Sequence, residues 1–558
     1  MAHSQAHICH CLSRLRRRSP LTIDGYRRRS GDEFVGDVVG LALGIERLGI
    51  ARGDVVAIAA LNSDFYVEWL LAVMLVGGIA APLNYRWSFE EAKSAMEAVR
   101  PVMLVVDESC VSWARALRND GCFPSLKLYA CIGDLSGGQL LRISTMDSIR
   151  VHAPHPSMPQ TMCAPKGTAL ICFTSGTTGR PKGVAISHTS LIVQSLAKIA
   201  IVGYGESDVY LHTAPLCHIG GISSCIAMLM VAGCHVFMPK FDARSSFLLI
   251  KKYHVTSLIT VPAMLSDLIS FARNSNNSNG GETLKKILNG GGSLSSSLIN
   301  LAARTFPQTK IISAYGMTET CSSLTFMTLC DPVLQKSGEF HSSHHKVNSE
   351  HIGVFVGKPA PHVELRISSD SDNSCSPSVG SILTRGSHVM VGYYDKKMKI
   401  VVDSIEDGWL DTGDIGWIDS NGDLWLIGRK KGRIKSGGEN IYPEEVEAVL
   451  SQHPGVHMAI VVGIPDTRLS EKVVACIVIN VDWKWTDDLK LWNYQGVKEL
   501  SNEILQNYCR QQNLTGFKIP NVFIPWTKPL PLTTLGKLKR EELRREVLSY
   551  VKLLPSNL

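Results

Sequence analysis

No apolar run in this sequence is long enough to cross a bilayer. The longest, Trp69 to Pro82, is fourteen residues and contains Gly77 and Gly78, where about twenty are needed. It reads instead as a buried helix followed by a strand. Charge of one sign is equally scarce. Seven arginines between Arg14 and Arg29, opposed by Asp24, carry +6 of the net +7, so the remainder is nearly neutral. That excludes a broad nucleic-acid surface and predicts a solvated basic patch near the N-terminus. The fifteen cysteines are scattered, many in apolar runs, as at Cys172, Cys225 and Cys476. They form no disulfide framework, which fits a reducing compartment. His7, Cys9, His10 and Cys11 leave too little loop between them for a zinc site.

What is present is a chain of 558 residues, 45% apolar, long enough for several packed units. Helical periodicity over Phe34 to Leu48 alternates with buried strands at Val55 to Ala60 and Val102 to Val106, and the alternation continues through residues 169–330. This predicts an α/β fold: a large N-terminal layered body of sheets and helices, then a β-rich subdomain from Val363. A short charged bridge, Gly428 to Arg433, separates these from a small C-terminal α+β module with a helix at Pro443 to Gln452, strands at Met458 to Val462 and Val473 to Ile479, a helix near Val497 to Gln511 and a strand around Val522. The domains are therefore drawn as residues 1–430 and 431–558. Asp482 to Trp485 and Leu491 to Tyr494 form an aromatic insertion that either covers a core or meets a partner.

Between an apolar strand, Ala169 to Phe173, and a helix beginning near Ser187 lies a loop built for an anion. Thr174, Ser175, Thr177 and Thr178 supply hydroxyls, Gly176, Gly179 and Gly183 let backbone amides approach, and Lys182 adds positive charge. A Walker P-loop requires glycine before the lysine and Ser or Thr after it. Pro181 and Gly183 occupy those places, so the motor-ATPase and GTPase classes fail at two positions.

Further along, Tyr315-Gly-Met-Thr-Glu319 follows the strand Lys310 to Ser313 and sets a hydroxyl beside a carboxylate, as a phosphate oxygen and a magnesium ion would require. Asn289 is followed by Gly290, Gly291, Gly292 and Ser293, which leave room for a flat ring. Together, in this order, these segments resemble the adenylate-forming superfamily of acyl-CoA synthetases, luciferase-like proteins and peptide-synthetase adenylation domains.

The resemblance implies ATP, magnesium and coenzyme A as cofactors or co-substrates and a small carboxylic acid as substrate. It implies that Thr174 to Lys182 hold phosphates, that Thr318 contacts the α-phosphate, that Glu319 holds the metal, and that Tyr315, Gly316 and Gly290 to Gly292 line adenine. Asp414 and Arg429 match the ribose-gripping pair. Lys537 matches the catalytic lysine, Lys431 the hinge position about which the C-terminal domain moves, and Gly437 and Gly438 the passage for the pantetheine arm. His218, in Pro215 to Ile222, matches the gate of the acyl pocket. Within the superfamily, Cys217 to Ser223, Ala81 to Trp87, Tyr315 to Ser322 and Leu514 to Pro520 are most similar to the o-succinylbenzoate:CoA ligases of menaquinone and phylloquinone synthesis, in their plant form. Medium-chain fatty-acid or hydroxycinnamate:CoA ligases are the alternative, and a luciferase-like oxygenase the alternative from another class. Ser556-Asn-Leu558 resembles a minor form of the peroxisomal address, readable by an import receptor. Chloroplast and peroxisome are the expected locations.

Overall fold

The computed structural model describes residues 6–16, 18–120, 123–133, 143–152, 161–175, 181–274, 281–333, 353–368, 379–394, 400–401, 405–430, 432–436, 439–466, 469–486, 498–512, 514, 516–532 and 538–553. The chain divides into two compact units. The first comprises Met1–His341, Val356–Leu365 and Thr384–Leu410; the second comprises Ser342–Phe355, Arg366–Leu383 and Asp411–Leu558. The second unit thus takes in the segment from Asp411 to Lys430, which a boundary at 430 assigns to the first.

Two twisted sheets with helices against them make up the first unit. One runs, strand by neighbouring strand, Pro181–Ser187, Thr168–Ser175, Ile79–Pro82, Val55–Ala59, Met103–Val106 and Leu128–Cys131. The strand Val55–Ala59 is buried at every residue, as a parallel strand covered on both faces must be, which is why it reads as an unbroken apolar run. The other sheet is parallel through Cys234–Phe237, Val209–His212, Ser257–Thr260, Lys286–Asn289 and Lys310–Met317, then turns antiparallel at Ser322–Cys330. The run from Trp69 to Pro82 is a helix, Asp64–Leu75, then a strand, Ile79–Pro82. Residues of that helix, of Gly31–Arg47, of His188–Val202 and of Ile219–Met230 share one apolar core. No described helix is long and apolar enough to cross a membrane.

Two of the N-terminal arginines, Arg27 and Arg29, depart from the expected solvated patch, while Arg14 and Arg28 are exposed as expected. Arg29 is 6% exposed and pairs with Asp37 at 2.8 Å, Asp64 at 2.9 Å and Glu68 at 2.7 Å. Arg27 joins Asp64 at 2.7 Å, and Arg150 joins Glu68 at 2.6 Å. Asp64 and Glu68 belong to a buried helix, and a buried carboxylate is tolerable only with a cation against it. The arginines are those cations. His7, Cys9 and Cys11 are likewise core: His7 Nδ1 accepts from the amide of Cys9 at 3.2 Å and Nε2 lies 3.1 Å from the carbonyl of Met74.

Buried histidines make this unit acid-sensitive. Burial pulls the imidazoles of His188 and His235 down to about 3 and that of His388 to about 4. Each is neutral in the native state where the unfolded chain protonates near 6.5, so the unfolded state binds more protons below that pH. This stability is fully present above pH ~6.5 and falls as pH drops, by about 2 kcal/mol per histidine at pH 5. Urea midpoints at pH 7.5 and 5.0 are expected to differ accordingly; equal midpoints would contradict the assignment.

The second unit holds the paired part of a hairpin, Asp414 to Ile418 against Leu424–Arg429, and a sheet in which Val456–Asp466 and Ser470–Ile479 pair antiparallel and Val522–Pro525 joins in parallel. Helices Pro443–Leu450, Asn502–Gln511 and Arg540–Leu553 accompany them. The expected helix near Val497 begins later: Lys498–Leu500 is a strand pairing with Trp483–Trp485, and Ser501 caps Asn502–Gln511 by accepting from the amide of Ile504. Trp483 covers the core here, its ring 5.4 Å from that of His453. Gly455 is required beneath it, since a Cβ there would lie 2.7 Å from the indole. The other half of the aromatic insertion, Leu491 to Tyr494, lies outside the described residues.

Candidate active site

The threonine-rich loop is carried by two antiparallel strands. Thr174 stands opposite Lys182 and Ser175 opposite Pro181; Gly176, Thr177, Thr178 and Gly179 lie outside the described residues. On the far side, Gly392–Tyr394 pairs with the same strand, Tyr393 against Val184 and Tyr394 against Gly183. This brings in a residue that no sequence motif marks. The Tyr393 hydroxyl donates to Glu319 Oε1 at 2.8 Å, and Lys182 Nζ sits 5.4 Å from the centre of the Tyr393 ring.

Glu319 reaches that point through a tight reversal. The strand Lys310–Met317 ends in a single 3-10 turn, Thr318–Thr320, after which Cys321 and Ser322 take positive φ of 53° and 112° and the chain returns antiparallel. Gly316 is obligatory: a Cβ there would lie 1.7 Å from the Ser322 carbonyl oxygen. The amide of Met390 fixes the Glu319 carbonyl at 2.8 Å. Glu319 is only 7% exposed, yet among the described residues its carboxylate receives one neutral donor and no cation within ion-pair distance. Burial and the neighbouring carboxylate push the Tyr393 phenol well above its ordinary value, so it stays a donor. A buried carboxylate held in place with one oxygen still available has the donor chemistry of a magnesium ligand.

Next to it, Lys286–Asn289 ends on the glycine segment. The Gly290 amide donates to the Thr260 carbonyl at 2.9 Å, Gly291 takes a φ of +74°, and a Cβ on Gly290 would meet no atom within 4 Å. Asn289 Nδ2 donates to the Gly292 carbonyl at 2.8 Å. Its Oδ1 is buried without a hydrogen-bond partner. An amide oxygen in that state beside open backbone fits a donor from a bound base. Tyr315 lies in the strand pairing with Thr325.

His218 is the N-cap residue of the helix Ile219–Met230, its carbonyl accepting from the Ile222 amide at 3.0 Å. Gly221 must be glycine, because a Cβ would lie 2.4 Å from the Pro215 carbonyl oxygen. Asn62, unmarked in the sequence, staples this segment: its Oδ1 accepts from the Leu216 amide at 2.8 Å and its Nδ2 donates to the Ala214 carbonyl at 3.0 Å.

In the second unit, the hairpin register sets Asp414 opposite Arg429, with Nε 3.0 Å from Oδ1. Asp414 is buried, while the Arg429 side chain is 58% exposed. Gly413, with φ of +72°, makes the bend before Asp414. Lys431, Gly437, Gly438 and Lys537 lie outside the described residues; Gly437 and Gly438 fall between paired Ser436 and Glu439.

A buried carboxylate with one oxygen to spare, and a lysine over the ring that holds it, are groups a nucleotide-phosphate site would use; comparison with known proteins gives the family. Residues 13–394 match the AMP-binding enzyme family and residues 445–537 the AMP-binding enzyme C-terminal domain. The chain belongs to the AMP-binding enzyme family. A 2-succinylbenzoate–CoA ligase of Arabidopsis thaliana, named as chloroplastic/peroxisomal, is 52% identical over 569 aligned residues that cover 100% of both chains. The o-succinylbenzoate CoA synthetase of Bacillus subtilis in complex with its acyl-adenylate intermediate superposes with a TM-score of 0.73 at 26% identity, covering 97% of this chain and 98% of that one. The same bacterial enzyme in complex with ATP and magnesium gives 0.73 and 26%, over 97% and 99%.

Proposed function

We propose that this protein is an ATP-dependent acid–thiol ligase that converts 2-succinylbenzoate to its CoA thioester through an acyl-adenylate, in phylloquinone synthesis. The observation that carries the reaction class is the buried Glu319 carboxylate, held by Tyr393 with Lys182 on the same ring. Full-length similarity to the plant ligase supports the substrate.

In this reading Thr174, Ser175, Gly176, Thr177, Thr178, Gly179 and Lys182 hold the β- and γ-phosphates. Glu319 holds magnesium, which neutralises charge on the phosphate oxygens when bound. Thr318 orients the α-phosphate, Tyr315, Gly316 and Gly290 to Gly292 enclose adenine, and Asp414 accepts from the ribose hydroxyls while Arg429 donates. The substrate carboxylate attacks the α-phosphorus; its oxygen forms the new P–O bond and pyrophosphate leaves. Lys537 stabilises the charge gathered on the reacting oxygens. The C-terminal domain, residues 431–558 hinged at Lys431, then turns, withdrawing Lys537 and opening the Gly437–Gly438 passage to the CoA thiol. The thiol sulfur attacks the acyl carbon and AMP leaves. His218 gates the acyl pocket. Chloroplast and peroxisome are the proposed locations, the latter through an import receptor reading Ser556 to Leu558.

Pyrophosphate release by the purified protein across a panel of acids tests the substrate. Turnover of 2-succinylbenzoate above coumarate and octanoate is expected; robust turnover of either of those with none of 2-succinylbenzoate would overturn it.

A further inference from the structure

Behind the His218 segment the core contains an ammonium group. Lys198, on the helix His188–Val202, is 0% exposed, and its Nζ donates to Ser223 Oγ at 2.6 Å and Ser224 Oγ at 3.0 Å. Both serines belong to the helix that His218 caps, at the start of its second turn, and both are fully buried. Among the described residues no carboxylate lies within ion-pair distance of Lys198. The thiol of Cys321 is the nearest candidate for a counter-charge, but burial pushes it up to about 12, so it stays neutral.

The surroundings are more polar than a core requires. The hydroxyls of Tyr204 and Tyr210 are buried without a hydrogen-bond partner among the described residues. Gln194, one turn earlier on the lysine's own helix, donates to the Ser323 carbonyl at 2.6 Å, and its Oε1 is buried with no hydrogen-bond partner. An unpaired buried ammonium costs several kcal/mol unless a charge of opposite sign offsets it. Burial accordingly draws Lys198 down to about 7. A fold that holds this group without its own acid is arranged for an acid that arrives.

We propose that Lys198, acting through Ser223 and Ser224, forms the subsite for the second carboxylate of the acyl substrate, the one that is not activated, and so selects dicarboxylic over monocarboxylic acids. The inference rests on the reading of the His218 segment as the acyl pocket. Each serine oxygen accepts from the ammonium, which leaves its own hydrogen to donate to a carboxylate oxygen; without substrate, Ser223 directs that hydrogen at the Gly220 carbonyl at a long 3.4 Å. Ser224 lies six residues beyond His218, roughly 9 Å along the helix axis, a separation suited to an acid whose two carboxylates stand at opposite ends of a ring and short chain. Gly220 lies between them, and a Cβ there would touch only Ile259, at 3.8 Å. That face is open. Lys198 is a specificity-determining residue in this account, removed from the reacting atoms.

The test compares kcat/KM for 2-succinylbenzoate with that for its two monoacid analogues, 3-benzoylpropionate and 2-butanoylbenzoate, each of which keeps one carboxylate. Lys198→Met is expected to lower the diacid-to-monoacid ratio by about 10²-fold, the scale for truncating one partner of a buried charge pair. Thermal unfolding of the same variant should show no loss of stability, since the cost of the buried ammonium is gone. Should Lys198→Met fail to fold, the double variant Ser223→Ala/Ser224→Ala carries the test, with a fall in the same ratio expected. A ratio within about threefold of the unmodified protein's, whatever happens to the absolute rates, would overturn the role of Lys198. Absence of 2-succinylbenzoate turnover in the unmodified protein would instead overturn the proposed substrate, so the two failures are told apart.

Discussion

Glu319→Gln should lower kcat/KM for pyrophosphate release on the order of 10²–10³-fold, because it removes the charge proposed to hold magnesium against the transferring phosphate while changing almost nothing else. The glutamine side chain keeps an oxygen that can accept from Tyr393, whose hydroxyl lies 2.8 Å from Oε1. The turn that carries it is fixed by backbone: the Met390 amide on the Glu319 carbonyl, and Gly316 against Ser322. The thermal midpoint should therefore stay near that of the unmodified protein. The magnesium concentration needed for half-maximal rate should rise. A variant that retains full activity at the same magnesium concentration would remove Glu319 from the metal site, and with it the observation on which the reaction class stands.

Lys537→Ala is expected to be equally severe, but in only one half-reaction. Acyl-adenylate formation should fall on the order of 10²–10³-fold, the cost of deleting one electrostatic contact to a charged transition state. Thioester formation from preformed acyl-adenylate should change by less than about threefold, since in the proposed mechanism the lysine has withdrawn by then. Single-turnover measurements of each half-reaction separate the two. Equal losses in both would refute the assigned role and the two-conformation account together.

Contiguous features of the proposed site were legible in the sequence. The reversal at Tyr315 to Glu319 could be read because glycine, a hydroxyl and a carboxylate stand next to one another, and its geometry explains why glycine is there. The pair proposed to grip ribose was legible as two separate residues; only the hairpin register brings Asp414 against Arg429. Tyr393 could not be found this way. Its place depends on Gly392–Tyr394 pairing with a strand some two hundred residues earlier, and cross-strand neighbours distant in sequence leave no local pattern.

Lys198 shows a signal that composition hides. Leu191, Gln194, Ser195, Lys198 and Val202 are buried together on one face of a helix, at the spacing that periodicity predicts for a core-facing stripe. A lysine on that stripe is the anomaly, visible once helix period is weighed against residue type. The N-terminal arginines teach the opposite lesson. Their clustering suggested a solvated patch, but the acids that bury Arg29, namely Asp37, Asp64 and Glu68, come from two helices further along the chain. Charge counted along the chain does not reveal charge paired across it.

Isotope transfer tests most directly the attack of the carboxylate on the α-phosphorus. 2-Succinylbenzoate carrying ¹⁸O in its carboxylates, incubated with ATP, magnesium, CoA and the purified protein, should place one ¹⁸O in the phosphoryl group of AMP and none in pyrophosphate. Label appearing in inorganic phosphate, or CoA thioester formed without labelled AMP, would contradict it.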